Sequence, residues 1–187
     1  MADFLILYGT TDGHTAKVAA RLADALRSLG AQVDVANAAA LPQPAADDYR
    51  AVVVAASVHA GGYQTDVRQW VRQHAAALAE RPTAFVSVCL GVLQHDPAVD
   101  EQLDSTMQKF FAYTGWTPTV RKIVAGALLY TKYNFIKRLM MRRIVRKAHG
   151  DTDTTRDYEY TDWKDLAAFA QTLAGMTPGI AGARAAG

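Results

Sequence analysis

The sequence predicts an α/β protein built on a mainly parallel, doubly wound sheet. Two observations carry this. Short apolar runs of strand length alternate with stretches of helical periodicity along the chain. One run, Ala51-Val-Val-Val-Ala-Ala56, is continuously apolar, the pattern of a strand buried on both faces, and Thr83-Ala-Phe-Val-Ser-Val-Cys89 reads as another buried strand. Right-handed crossovers between such strands place helices on both sides of the sheet. Ligands then bind beyond the C-terminal strand ends, where the strand order reverses.

Each element follows from local chemistry. Phe4-Leu-Ile-Leu-Tyr8 is the first strand, and a Thr- and Gly-containing loop covers residues 9–15. Val18, Ala19, Leu22, Ala23, Leu26 and Leu29 recur at helical spacing, and Gly30 stands where a helix stops. Gln32 to Ala36 alternates as a second strand, and Leu41 to Asp48, with two prolines, reads as a loop. Strand three, Ala51 to Ala56, runs into Ser57 to Tyr63. Val67, Trp70, Val71, His74, Ala75 and Leu78 then mark one helix face, with His74 reading as a core histidine. Strand four is Thr83 to Cys89. Asp96-Pro97 offers a capping carboxylate and a first-turn proline for a helix running through Phe110 and Phe111 toward Gly115. Ile123 to Ala127 is the fifth strand, Tyr158 to Tyr160 a short strand, and Asp162 to Leu173 the last helix. One domain is expected over residues 1–175, with a flexible Gly- and Ala-rich tail at 176–187.

Composition narrows the function. Of 187 residues half are hydrophobic and a fifth charged, which suits a globular domain. No apolar run approaches the roughly 18 residues that span a bilayer, and the N-terminus lacks the pattern of a secretory signal, so a cytoplasmic protein is expected. Cys89 is the single cysteine, which excludes an internal disulfide and a multi-cysteine metal site. The histidines show no metal-ligand spacing, so no metal is expected. The net charge of +2 hides a division. Ser105 to Gly150 holds ten Lys or Arg and no Asp or Glu; the remainder holds ten basic residues against eighteen acidic ones, a net −8. Such asymmetry points to an anionic partner.

Thr10-Thr-Asp-Gly-His-Thr15 joins a buried strand to a helix N-terminus. Free N–H groups and the helix dipole favour an anion there. Thr10, Thr11 and Thr15 can donate hydroxyl hydrogen bonds, and Gly13 can take a positive φ. The same residue types also make ordinary caps and turns.

This loop resembles the phosphate loop of the flavodoxin superfamily, in which Thr/Ser-x-Thr-Gly-x-Thr cradles the phosphate of FMN. Thr10, Gly13 and Thr15 match, and Asp12 replaces a threonine. Further downstream, Ala36-Asn37, Ala55-Ala-Ser57, Gly61 with Tyr63, Ser87-Val88, Ala125-Gly-Ala-Leu128, Gly150-Asp-Thr-Asp153 and Tyr160-Thr-Asp-Trp163 extend the likeness. From about Asp3 to Leu173 the chain is similar to the flavodoxin-like, quinone-dependent protoporphyrinogen oxidase family of haem synthesis. The resemblance implies a five-stranded parallel sheet of order 2-1-3-4-5 with a basic insert, 130–150, between strand five and the last helix. It implies FMN as cofactor and oxidation of protoporphyrinogen IX, with menaquinone or ubiquinone as electron acceptor.

On that resemblance the cofactor-binding residues are Thr10, Thr11, Asp12, Gly13, His14 and Thr15 at the phosphate, and Ser57, Val58, His59, Ala60, Gly61, Gly62 and Tyr63 in a second loop. Cys89, Leu90 and Gly91 complete the set at the end of strand four. Tyr63 either stacks on the flavin or packs at a helix start, and His59 either meets the cofactor or is a solvated loop residue. Cys89 reads as a small buried hydrophobe. His59-Ala60 stands where the family carries a basic residue and an aromatic. No general base is assigned, and the catalytic residues are left open.

In the insert, Lys132, Arg138 and Arg142 are candidates for contact with substrate or membrane. Apolar and basic pairs alternate there, but more slowly than the helical period of about 3.6, so it is no clean amphipathic helix. A solvated basic face is the plain alternative, and peripheral contact with the inner face of the cell membrane is the functional one. A flavodoxin-type electron carrier is the rival function. Nucleic acid is not expected as a partner, since the insert lacks a groove-reading motif.

Overall fold

The structure is a computed structural model and describes residues 2–132, Val145 and 151–177. Five strands form one parallel sheet: β1 (Ala2–Gly9), β2 (Val33–Asn37), β3 (Tyr49–Ser57), β4 (Thr83–Cys89) and β5 (Val120–Ala125). Their order is β2-β1-β3-β4-β5, as the resemblance implied. The order reverses between β1 and β3, because the chain first winds outward to β2 and then returns to the far side of β1.

Alternation along β1 shows how the sheet is held. Phe4 and Ile6 face one core with Val53, Val86 and the apolar stripe of α1 (His14–Ser28). Leu5 and Leu7 face the other, with Val52, Val54, Phe85 and Trp70. The first core is closed by α5 (Trp163–Gly175) through Leu166, Phe169 and Leu173. The second is closed by α2 (Thr65–Gln73), α3 (Ala75–Ala79) and α4 (Pro97–Thr114). Each fully buried large aliphatic or aromatic side chain contributes roughly 1.5–3 kcal/mol.

Helix ends obey the expected chemistry. The Asp96 carboxylate accepts from Ala98 N (2.9 Å), Pro97 opens α4, and Gly115 follows it at φ 68°. Asp162 accepts from the N–H groups of Lys164 and Asp165. α1 ends before Gly30, which takes φ +93°.

Two elements differ from the sequence reading. The single helix expected through Leu78 breaks at His74. That residue's ring nitrogen bonds the Trp70 carbonyl at 2.9 Å and stacks on the Trp70 indole at 4.3 Å. The backbone N–H of His74 also bonds that carbonyl at 3.0 Å, so α2 closes its last turn there; His74 is half-buried rather than a core residue. The fifth strand begins and ends earlier than expected, because the chain leaves the sheet at Gly126. Ala127–Leu128 (β6) then pairs antiparallel with Tyr158–Glu159 (β7). β5 is an edge of the main sheet and carries Arg121, Lys122 and the exposed Ile123.

Arg138 and Arg142, and the tail from Pro178, lie outside the described residues. Among the described residues no helix is long and apolar enough to cross a membrane.

Gly9, the last residue of β1, lets α2 come close. A Cβ there would stand 2.4 Å from Val67 Cγ2 and 3.0 Å from Gln64 Oε1. Gly9→Ala forces the start of α2 outward and is expected to cost about 1–3 kcal/mol. Urea denaturation measures it, with Gly175→Ala, whose Cβ meets nothing and whose φ is not positive, as the comparison without a steric clash.

Candidate functional site

The loops after β1, β3, β4 and β5 gather along the C-terminal edge of the sheet. In the first, Gly13 adopts φ +95°, a conformation that opens α1 without strain only for glycine. Its N–H donates to Thr10 Oγ1 at 2.9 Å. α1 has no side-chain cap and no acidic residue in its first turn, so its amide dipoles face the loop uncompensated. Thr15 Oγ1 is buried, with the residue 1% exposed, and has no hydrogen-bond partner among the described residues. An orphaned hydroxyl at such a helix start matches what a phosphate group would satisfy.

The second loop folds back on itself. His59 N donates to Gly62 O (2.8 Å) and Gly62 N to His59 O (3.1 Å), with Ala60 and Gly61 both at positive φ. This is a tight two-residue hairpin turn. Its tip, His59 to Gly61, is exposed. Tyr63 does not project from it: the residue is buried, and its phenol packs edge-on against Phe85 and Phe110, each at 5.1 Å. Its hydroxyl shares a 2.8 Å hydrogen bond with Ser87. Burial holds the phenol protonated far above its ordinary range. Of the two readings of Tyr63, the structure shows packing at the helix start.

Gln64 ties the loops together. Its amide donates to Ser57 Oγ (2.7 Å) and to Thr11 Oγ1 (3.1 Å). It occupies the N-cap position of α2 but does not cap it, since its side chain is spent across the gap. Val58 N donates to Val88 O, joining the second loop to β4. At the end of β4, Gly91 N donates to Cys89 Sγ (3.2 Å) and a 3₁₀ turn follows at Gly91–Gln94. Burial pushes the Cys89 thiol up, so it is a protonated wall residue rather than a thiolate. Leu90 packs with Leu128 and Tyr130, which links this loop to the chain after β5.

His14 departs from its expected place. Its ring turns from the loop toward the last helix, 8% exposed, with Nε2 2.7 Å from Thr161 Oγ1. The Thr161 hydroxyl donates to the Ala125 carbonyl (2.7 Å), so His14 Nε2 is the donor of the pair and Nδ1 carries the lone pair. Glu159 stands 4.0 Å from Nδ1 and accepts from Lys17 (2.5 Å) and from the Trp163 indole (2.9 Å). His14 is therefore a side-chain brace between α1 and the β7 segment, and only its backbone belongs to the loop. Lys132, from the start of the basic stretch, reaches the same place: its ammonium donates to Asp12 O at 3.5 Å.

Sequence reasoning missed Gln64, Thr161 and Glu159. The one available signal was Gln64, a polar residue directly before a helix with the wrong chemistry for a cap. Among the described residues no group of acidic, His or Cys side chains could hold a metal ion.

Three comparisons bear on this edge. A family model described as a flavodoxin domain matches residues 5–155. The chain is 38% identical over 173 residues to the protoporphyrinogen IX dehydrogenase [quinone] of Escherichia coli strain K12, covering 92% of this chain and 95% of that one. It is 33% identical over 176 residues to the protein of the same name from Leishmania major, covering 92% and 74%. Among solved structures, oxidised flavodoxin 1 from Bacillus cereus superposes with a TM-score of 0.55 at 11% identity, covering 93% and 98%, which speaks for the fold.

Burial lowers the His14 pKa below its ordinary 6.5; Glu159 opposes this and Lys17 adds to it. The unfolded chain thus takes up this proton at a higher pH than the folded one. Stability is full above about pH 6.5 and falls as pH drops through that value. His14→Gln keeps an amide donor for Thr161 and should flatten this fall. Urea midpoints measured from about pH 7.5 to 5.5 check it; an unchanged slope would mean His14 does not carry the dependence.

Proposed function

The chain belongs to the flavodoxin domain family, and we propose that it is an FMN-dependent enzyme oxidising protoporphyrinogen IX to protoporphyrin IX with a quinone as acceptor. One observation carries the reading: 38% identity to a protein of that named activity over 92% of this chain and 95% of the other. The role in haem synthesis follows from the product.

FMN, when bound, supplies the two-electron acceptor for the oxidation. The chain's own residues do the rest. The Gly13 backbone, the α1 N-terminus and the hydroxyls of Thr10, Thr11 and Thr15 hold the phosphate. The hairpin Ser57 to Gly62 and the turn at Cys89 to Gly91 line the ring. Tyr63 supports that hairpin from beneath, fixed by Ser87, Phe85 and Phe110. The Cys89 thiol, held protonated, offers no competing nucleophile. Each oxidation removes two electrons and two protons, and three cycles convert one porphyrinogen to porphyrin while three quinones become quinols.

The quinone is menaquinone or ubiquinone, both dissolved in membranes. The cations of the stretch from Ser105 to Gly150, apart from the paired Arg121 and Lys122 and from Lys132, suit peripheral contact with an anionic lipid surface on the cytoplasmic side.

Two measurements test this. Purified protein mixed anaerobically with protoporphyrinogen IX and menaquinone should generate porphyrin fluorescence well above the uncatalysed rate. Fluorescence no faster than that rate overturns the activity, and one-electron exchange with a flavodoxin reductase in its place would mark a carrier protein. Thr15→Val removes a hydroxyl that has no partner in the protein itself, so the apoprotein should lose no stability. FMN affinity should nevertheless fall about tenfold or more, the worth of one hydrogen bond to a charged group. Equilibrium titration of the apoprotein with FMN measures it.

A further inference from the structure

A cleft of about 330 Å³ opens beside the first loop, between the start of α1 and the chain that leaves β6. Gly13, Lys17, Lys132, Asp157 and Glu159 contribute to its walls. We propose that Lys132 is the counter-charge of the FMN phosphate, and that it makes the site select FMN over unphosphorylated riboflavin. The proposal rests on the FMN reading above and assigns Lys132 to cofactor rather than to substrate or lipid.

Position is the first argument. Lys132 Nζ lies 3.4 Å from where a Cβ on Gly13 would stand, directly at the turn that opens α1. Its one bond there, to Asp12 O, is long at 3.5 Å. The second argument is availability. Lys17 is committed to Glu159 at 2.5 Å, and Glu159 also receives the Trp163 indole. Partial burial works to raise the Glu159 carboxyl, yet the bond and charge of Lys17 outweigh it and hold Glu159 ionised below its usual range. Asp157 accepts both the N–H (2.9 Å) and the hydroxyl (2.8 Å) of Thr131. No carboxylate among the described residues pairs with Lys132, and the sequence from Tyr133 to Gly150 contains no Asp or Glu that could. Among the described residues, Lys132 is the cation of this cleft that has no carboxylate partner.

The third argument is need. Among the described residues the other donors of the cradle are neutral: backbone amides, Thr10, Thr11 and Thr15. His14 also lines the cleft, but its Nε2 is engaged with Thr161 and burial lowers its pKa. The cradle also carries Asp12 where the flavodoxin pattern has threonine, and a carboxylate close to a phosphate dianion is repulsive. A cation over the same turn offsets that repulsion.

Apoprotein titrated separately with FMN and with riboflavin decides this. In the wild type FMN should bind more tightly than riboflavin. Lys132→Met should lower FMN affinity about five- to tenfold, leave riboflavin affinity unchanged, and weaken the salt dependence of FMN binding. Asp12→Thr added to Lys132→Met should restore most of the lost FMN affinity. An unchanged FMN-to-riboflavin ratio in Lys132→Met overturns the proposal, as does an equal loss for both ligands. A wild type that binds riboflavin but does not prefer FMN overturns the phosphate-loop assignment itself, and one that binds neither overturns the FMN reading.

Discussion

Parallel strand pairing is the constraint on which this molecule depends. A parallel strand must be entered from the same end as its neighbour, so each connection crosses back over a face of the sheet. The five strands therefore release all their outgoing loops at one edge. The strand order reverses between β1 and β3, so the loops there wind away to opposite sides and leave a gap. The two apolar cores supply the stability, through α1 and α5 on one face and α2 to α4 on the other. The loop edge is thus relieved of structural duty and can hold polar groups that the cores would not tolerate.

At that edge the bridge between the first two loops is neutral, and the ion pair lies beside them. Gln64 spans the gap and fixes Thr11 against Ser57 without adding charge. Ionic groups gather to one side, where Lys17, Glu159 and the neutral His14 brace α1 against the β7 segment. Their effect on the loop is positional. They hold the first turn of α1 still, so the amides that face an anion are already aligned before it arrives, and less ordering entropy is lost on binding.

Much of this was legible in the sequence, for identifiable reasons. The β1, β3 and β4 assignments held because an apolar run buried on two faces has no competing reading once helical stretches flank it. The start of α4 held because Asp96-Pro97 is local chemistry. The same locality explains the failures. At the break, both the backbone N–H and the ring of His74 meet the Trp70 carbonyl, and a residue on an apolar stripe gives no warning of it. The departure of the chain at Gly126 is set by pairing with Tyr158 and Glu159, far along the sequence. His14 is next to Gly13 in sequence, yet its ring belongs to a partner 147 residues away. Tyr63 had two open readings because stacking and packing demand the same residue type. Only the neighbouring Phe85, Phe110 and Ser87 separate them.

The edge strand β5 has a consequence for life at high protein concentration. An open sheet edge invites a strand from another copy to dock and propagate. Here that edge presents Arg121 and Lys122, the latter paired with Asp165 at 2.6 Å and the former 3.8 Å from Asp104. An incoming identical strand would set Arg121 and Lys122 against their own copies and disturb both ion pairs. Like charges so placed oppose pairing at this edge, beside the exposed Ile123.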